Sequence, residues 1–216
     1  MSEALLPKRF LFQFAAPCRY RQKLWSAEGA DLGEGYRIIS LAELENRRAP
    51  VELRAAWSEE GLVFAFRVQG KQQQPWCRMG RAEDSDSVQI WIDTRDVHNV
   101  HRASRFCHRF LLMPAGGAKD GPLAQWMPIN RAREQPRAIG PDEVQVRSVV
   151  SRGGYLLECF LAAGALTGFD PQEHPRLGFN YAVNDRELGE HTFTVGSPMP
   201  YQEDPSLWAT LEMFKA

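Results

Sequence analysis

The chain has 216 residues, 44% of them hydrophobic, with six tryptophans and a net charge of −1 from 26 basic and 27 acidic side chains. That is enough apolar material for one large packed domain and too much for a disordered chain. The even balance of charge argues against a nucleic-acid binder or a protein drawn to an anionic membrane, and no stretch approaches bilayer-spanning length.

Near the start, Lys8 and Arg9 precede Phe10-Leu11-Phe12-Gln13-Phe14-Ala15-Ala16, but Gln13 breaks the run and Pro17, Cys18 and Arg19 follow at once. A secretory signal needs a longer unbroken run, so the segment reads as a strand or extended arm and the protein as cytoplasmic. Residues 1–49 form an N-terminal strand or arm of a single 1–216 domain. Val51, Leu53 and Ala55 alternate with polar neighbours up to Trp57; Glu59-Glu60-Gly61 then turns the chain into Leu62, Phe64, Phe66 and Val68 on one face, a hairpin. Val88, Ile90 and Ile92 alternate with Gln89 and Trp91, and Phe106, His108, Phe110 and Leu112 with Cys107, Arg109 and Leu111. Gly116 to Gly140 reads as irregular with one short strand. A second hairpin flanks Gly153-Gly154, a helical turn is expected over Ala162 to Leu166, and strands over Leu177–Val183, His191–Val195 and Leu207–Phe214. About nine or ten short strands with almost no helical periodicity predict an all-β, two-sheet antiparallel β-sandwich of jelly-roll-like form. Cys18, Cys77, Cys107 and Cys159 make no Cys-x-x-Cys pair and read as buried thiols.

Three segments in order carry a family resemblance: Ala56-Trp57-Ser58-Glu59-Glu60-Gly61 through Val68; Glu83-Asp84-Ser85-Asp86-Ser87 through Asp93; and Gly154 to Glu158 continuing to Gly178-Phe179-Asn180-Tyr181-Ala182-Val183-Asn184-Asp185. Over about residues 50 to 212 the chain resembles the family-nine carbohydrate-binding modules and their DOMON-like sandwich relatives. The resemblance implies two sheets of about five strands and a ligand face on one of them.

Alternation supplies a face of its own. With Val88, Ile90, Ile92, Leu157, Cys159, Phe179 and Tyr181 inward, the opposite phase holds Gln89, Trp91, Glu158, Asn180 and Ala182, joined by Arg109. Amides, carboxylates and guanidinium groups fix sugar hydroxyls while aromatic faces cover C–H groups. The resemblance carries ligand contact onto Gln89, Arg109, Glu158 and Asn180, and Trp91 shares their phase. The family's sugar clamp of two loop tryptophans is matched by Trp76, whereas Arg186-Glu187-Leu188-Gly189-Glu190, where the second is expected, has no aromatic residue. The competing reading is a solvated outer face, which any antiparallel sandwich has.

His98, His101, Cys107 and His108 offer transition-metal ligands, opposed by Arg102, Arg105 and Arg109, which suit an anionic ligand group equally well. His108 alternates with phenylalanines and also reads as a core histidine. Glu83, Asp84, Asp86, Asp93 and Asp96 offer oxygen ligands for the structural calcium that the resemblance allows, without a calcium-loop signature. Catalysis finds no nucleophile elbow, zinc-protease motif or phosphate loop; Glu158 with Asp185 is the carboxylate pair to weigh for glycoside hydrolysis. The expectation is a non-catalytic protein that binds a mono- or oligosaccharide and requires no cofactor. The alternatives are a haem- or metal-binding DOMON-like sandwich using His98, His101 or His108, and a protein-interaction domain docking a partner through Trp91.

Overall fold

The structure is a computed structural model that describes residues 13–41, 49–197 and 199–215. Its strands are β1 (Ala15–Tyr20), β2 (Val51–Ser58), β3 (Gly61–Gln69), β4 (Ser87–Asp93), β5 (Cys107–Met113), β6 (Leu123–Met127), β7 (Val144–Ser151), β8 (Gly154–Ala162), β9 (Arg176–Asp185), β10 (Gly189–Thr192) and β11 (Ala209–Phe214). Both expected hairpins form, β2–β3 across Glu59-Glu60 and β7–β8 across Arg152-Gly153. The glycine that opens β3 or β8 is needed because the next strand presses on it. A Cβ on Gly61 would lie 2.0 Å from the Leu161 carbonyl oxygen, and one on Gly154 1.9 Å from that of Val68. Helix is confined to short 3₁₀ turns, including Ala163–Ala165 where a helical turn was expected. Among the described residues no helix is long and apolar enough to cross a membrane. The arm's residues 1–12, with Lys8, Arg9 and Phe10 to Phe12, lie outside the described residues; the rest of it supplies β1.

The all-β class is as expected, but the arrangement differs from two separate antiparallel sheets. Hydrogen bonding runs unbroken through β6-β5-β4-β9-β11-β1-β2-β3-β8-β7, with β10 added beside β9. β6 and β7, the two ends of this path, approach each other without pairing, so the sheet is barrel-like and nearly closed. The reason is β1. It pairs in parallel with β11 (Ala15 with Thr210) and with β2 (Arg19 with Ala56), carrying the sheet around a corner where a sandwich would break.

The interior is filled from opposite walls. Phe64 of β3 stacks on Phe179 of β9 at 5.3 Å, and Phe66 meets Tyr181 edge-on at 5.3 Å; such pairs add about 0.5–1.5 kcal/mol beyond their burial. Val88, Ile90, Ile92, Phe110, Leu157 and Cys159 face inward as the alternation predicts. Both outer walls are also covered. Leu24, Ala30 and Leu32 lie over Ala56, Val63 and Ala65. Ala103, Ile129, Val195, Tyr201 and Trp208 lie over Trp91 and Ala182. Cys18, Cys107 and Cys159 are buried and Cys77 half-buried, all unpaired, with burial pushing each thiol up.

Candidate functional site

The outer wall of β4, β5 and β9 gathers four of the six expected ligand residues. Register sets Trp91 opposite both Arg109 and Asn180. Gln89 Oε1 accepts from Arg109 Nε (3.0 Å) and Nη2 (2.6 Å), and Nη2 also reaches Glu83 Oε1 at 2.9 Å. The Arg109 guanidinium lies 5.6 Å from the Trp91 ring centroid. Asn180 Oδ1 accepts from the Thr194 N–H (3.2 Å) and hydroxyl (3.0 Å).

These residues share a face, but they are not on the surface. Trp91 and Asn180 are fully buried, Gln89 is 3% exposed and Arg109 5%. Tyr201 meets Trp91 edge-on at 5.4 Å, and Trp208 Nε1 donates to the Tyr201 carbonyl at 2.7 Å, which pins the covering loop. The Tyr201 hydroxyl donates to Glu190 (2.7 Å); burial first, and then Glu190, push its pKa up. Alternation placed these side chains correctly but could not show that the 193–208 loop returns over them. A protein partner cannot dock through Trp91, because no Trp91 surface is exposed.

Glu158 leaves the group. It lies on β8 in the other wall, accepting from Arg147 (2.8 Å) and from the Ala30 N–H (3.2 Å). Gly29 passes so close that a Cβ would sit 2.3 Å from Glu158 Oε2. The Glu158–Asp185 pairing weighed for hydrolysis fails on the same ground, since Asp185 is held by Lys71 at 2.5 Å on a different wall.

Trp76 is the one expected ligand residue with an open surface. It is half-buried in the loop between β3 and β4. Its N–H donates to Asp86 Oδ2 (3.0 Å) and its carbonyl accepts from the Asp86 N–H (2.9 Å). Asp86 Oδ1 accepts the Arg186 N–H at 2.9 Å. Behind them Lys71, 3% exposed, donates to Asp86 (3.1 Å) and Asp185 (2.5 Å). Burial would pull the Lys71 ammonium down, but the two carboxylates outweigh it and hold its pKa above the ordinary value. Asp185 Oδ1 also caps the Glu187 and Leu188 N–H groups. One buried cation thus ties the loop carrying Trp76 to the turn carrying Arg186. Where the resemblance expects a second tryptophan, the Arg186 guanidinium stacks on Trp76 at 4.3 Å, with Arg78 at 5.1 Å. The Lys71 contact joins residues 114 apart in sequence, so no local signal could have revealed it.

The histidines do not converge. His108 is fully buried in the barrel beside Phe110, and burial pushes its pKa down to about 4. His98 bonds Asp96 (2.9 Å), whereas His101 bonds Asp204 (3.1 Å). Among the described residues no three His, Cys, Asp or Glu side chains gather as a metal site. The expected calcium ligands are engaged by protein donors: Glu83 by Arg109, Asp84 by Arg81, Asp86 by Lys71, Asp93 by the Arg95 and Val97 N–H groups, and Asp96 by Arg176. His98 and His101 instead line a groove of about 750 Å³ with Phe14, Arg176, Asp204 and Trp208. There Ser206 and Asp204 both bond His101 at Nδ1, which is not the arrangement of a nucleophile relay, where base and orienting acid use opposite ring nitrogens.

No family model matches the sequence, and no curated protein matches it either. The fold has solved counterparts. A family 9 carbohydrate binding module from Caldicellulosiruptor kristjanssonii, in complex with cellotriose, is 11% identical over 94% of this chain and 95% of its own, with a TM-score of 0.60. A module of the same description, in complex with glucose, is 12% identical over 93% and 95%, TM-score 0.58. A Bacteroides uniformis protein classed as a candidate carbohydrate-binding protein is 12% identical over 93% of this chain and 100% of its own, TM-score 0.56. The chain therefore shares its overall fold with family 9 carbohydrate-binding modules. At this identity the likeness is one of fold.

Proposed function

We propose that this protein binds a saccharide without acting on it chemically, at the loop rim above the β4–β5–β9 wall. The observation that carries the reading is Trp76, a half-buried indole whose backbone is fixed on both sides by buried Asp86. An aromatic platform held rigid before binding loses little freedom when a sugar's C–H face settles on it. Arg109, set by Gln89 from below, reaches Glu83 on the same loop, and Glu83 is largely exposed and available to sugar hydroxyls. Gln89, Trp91 and Asn180 then form the foundation of the site and are not its contact surface. The reading is supported by the fold shared with modules solved with cellotriose and with glucose. The reading invokes no cofactor: Lys71 and the N–H groups of Trp76, Arg186, Glu187 and Leu188 hold the buried carboxylates. Calorimetric titration with neutral and acidic oligosaccharides tests it. Saturable binding that Trp76→Ala removes, with the unfolding midpoint kept, is the expected result; absence of binding to any saccharide at millimolar concentration would end the proposal.

A further inference from the structure

We infer that the ligand is an acidic saccharide, one bearing a carboxylate or sulfate group that Arg78 and Arg186 grip beside Trp76. This rests on the saccharide reading above and names its substrate class. Two cations lie against a single indole: the Arg186 guanidinium carbon is 4.3 Å and that of Arg78 5.1 Å from the ring centroid. Both arginines are exposed, and among the described residues neither guanidinium has a carboxylate within ion-pairing distance.

The other charged groups of this rim already have partners. Arg81 pairs with Asp84 (2.9 Å), Arg109 with Glu83 (2.9 Å), and Lys71 with Asp86 and Asp185. Glu187 accepts the Gln72 and Gln73 N–H groups at 2.6 and 3.1 Å. What remains at the platform is two guanidinium groups that have no ion-pair partner among the described residues, although the rim as a whole is close to neutral. A guanidinium lying over an indole uses its face for that contact and keeps its N–H donors in plane, directed outward in the fork that suits a carboxylate or sulfate. A neutral sugar packing on the indole meets the two guanidinium groups through its hydroxyls but gains nothing from their charge, whereas an anionic sugar brings a carboxylate or sulfate to the same N–H forks. Position is fixed as well, since one Asp86 carboxylate holds the backbone N–H of both Trp76 and Arg186.

The experiment titrates the full chain with a trigalacturonate, a sulfated trisaccharide and cellotriose, at low and at high salt. The wild type is expected to bind at least one acidic ligand tenfold or more tighter than cellotriose, with the preference shrinking as salt rises. Whichever acidic ligand binds identifies the group. In the Arg78→Gln/Arg186→Gln double variant the affinity for the acidic ligand should fall tenfold or more and the preference over cellotriose should vanish; the salt series on the wild type gives an independent reading if that variant folds poorly. Cellotriose binding as tightly as the acidic ligands would overturn the inference and leave the saccharide reading standing. No binding of any of the three would overturn both. Displacement of the acidic ligand by an equal concentration of citrate would show attraction to charge alone, and would also overturn it.

Discussion

Trp76 and Trp91 are the same residue type in opposite situations, and substitution separates them. Trp91 is fully buried against Tyr201 and Arg109, so Trp91→Ala should cost about 3–5 kcal/mol in urea unfolding. Trp76 is half-buried, and Trp76→Ala should cost under about 1 kcal/mol while removing saccharide binding. Gln89→Ala belongs with Trp91, since it strands the buried Arg109 donors and lowers stability. His108 gives the pH dependence. An unfolded histidine takes up a proton near pH 6.5, whereas burial keeps the folded one neutral until about pH 4. The contribution of His108 is therefore complete above pH 6.5 and declines as pH falls through that window, by about 3 kcal/mol in all. Urea titrations at several pH values should show His108→Leu lacking about one proton of this slope; an unchanged slope would mean that the imidazole is charged in the barrel.

Among the elements, the Lys71 tie makes the candidate site depend on a residue that touches no ligand. Lys71→Met would leave the Asp86 and Asp185 carboxylates buried without their cation, a loss of about 3–5 kcal/mol. The Trp76 and Arg186 amides should then exchange faster than those of β9, and saccharide affinity should fall; unchanged exchange would show the loops to be held by other means. The hairpins were legible in sequence because alternation and turn residues are local: Gly61 and Gly154 stand where a strand must begin against its neighbour. Strand phase was legible for the same reason, which is why Gln89, Trp91, Arg109 and Asn180 share a wall. What covers that wall was not legible. Tyr201 and Trp208 reach Trp91 from beyond β10, and Glu158 joins the group in sequence by phase and by the resemblance, although phase does not say which wall a strand belongs to.

At the scale of the whole molecule, β1 converts what alternation predicts as two sheets into a nearly closed barrel. Its partners, Thr210 on one side and Ala56 on the other, are distant in sequence, and no local pattern records a parallel pairing. Because Ala15 to Arg19 pair with β11 while Arg19 and Tyr20 pair with β2, the amides at the Arg19–Tyr20 corner should exchange only with global unfolding, as slowly as those of β9; fast exchange there would mean that the corner is open. Besides the Trp76 rim, places for a ligand among the described residues include the groove by His101 and Trp208 and a cavity by Trp25 and Glu158. A nuclear magnetic resonance titration with an acidic oligosaccharide discriminates among them in one measurement. The Trp76 indole and the Arg78 and Arg186 guanidinium signals should shift together and saturate, with the Trp91 indole unmoved. Shifts centred on His101 and Trp208 or on Trp25, with Trp76 unchanged, would contradict the site proposed.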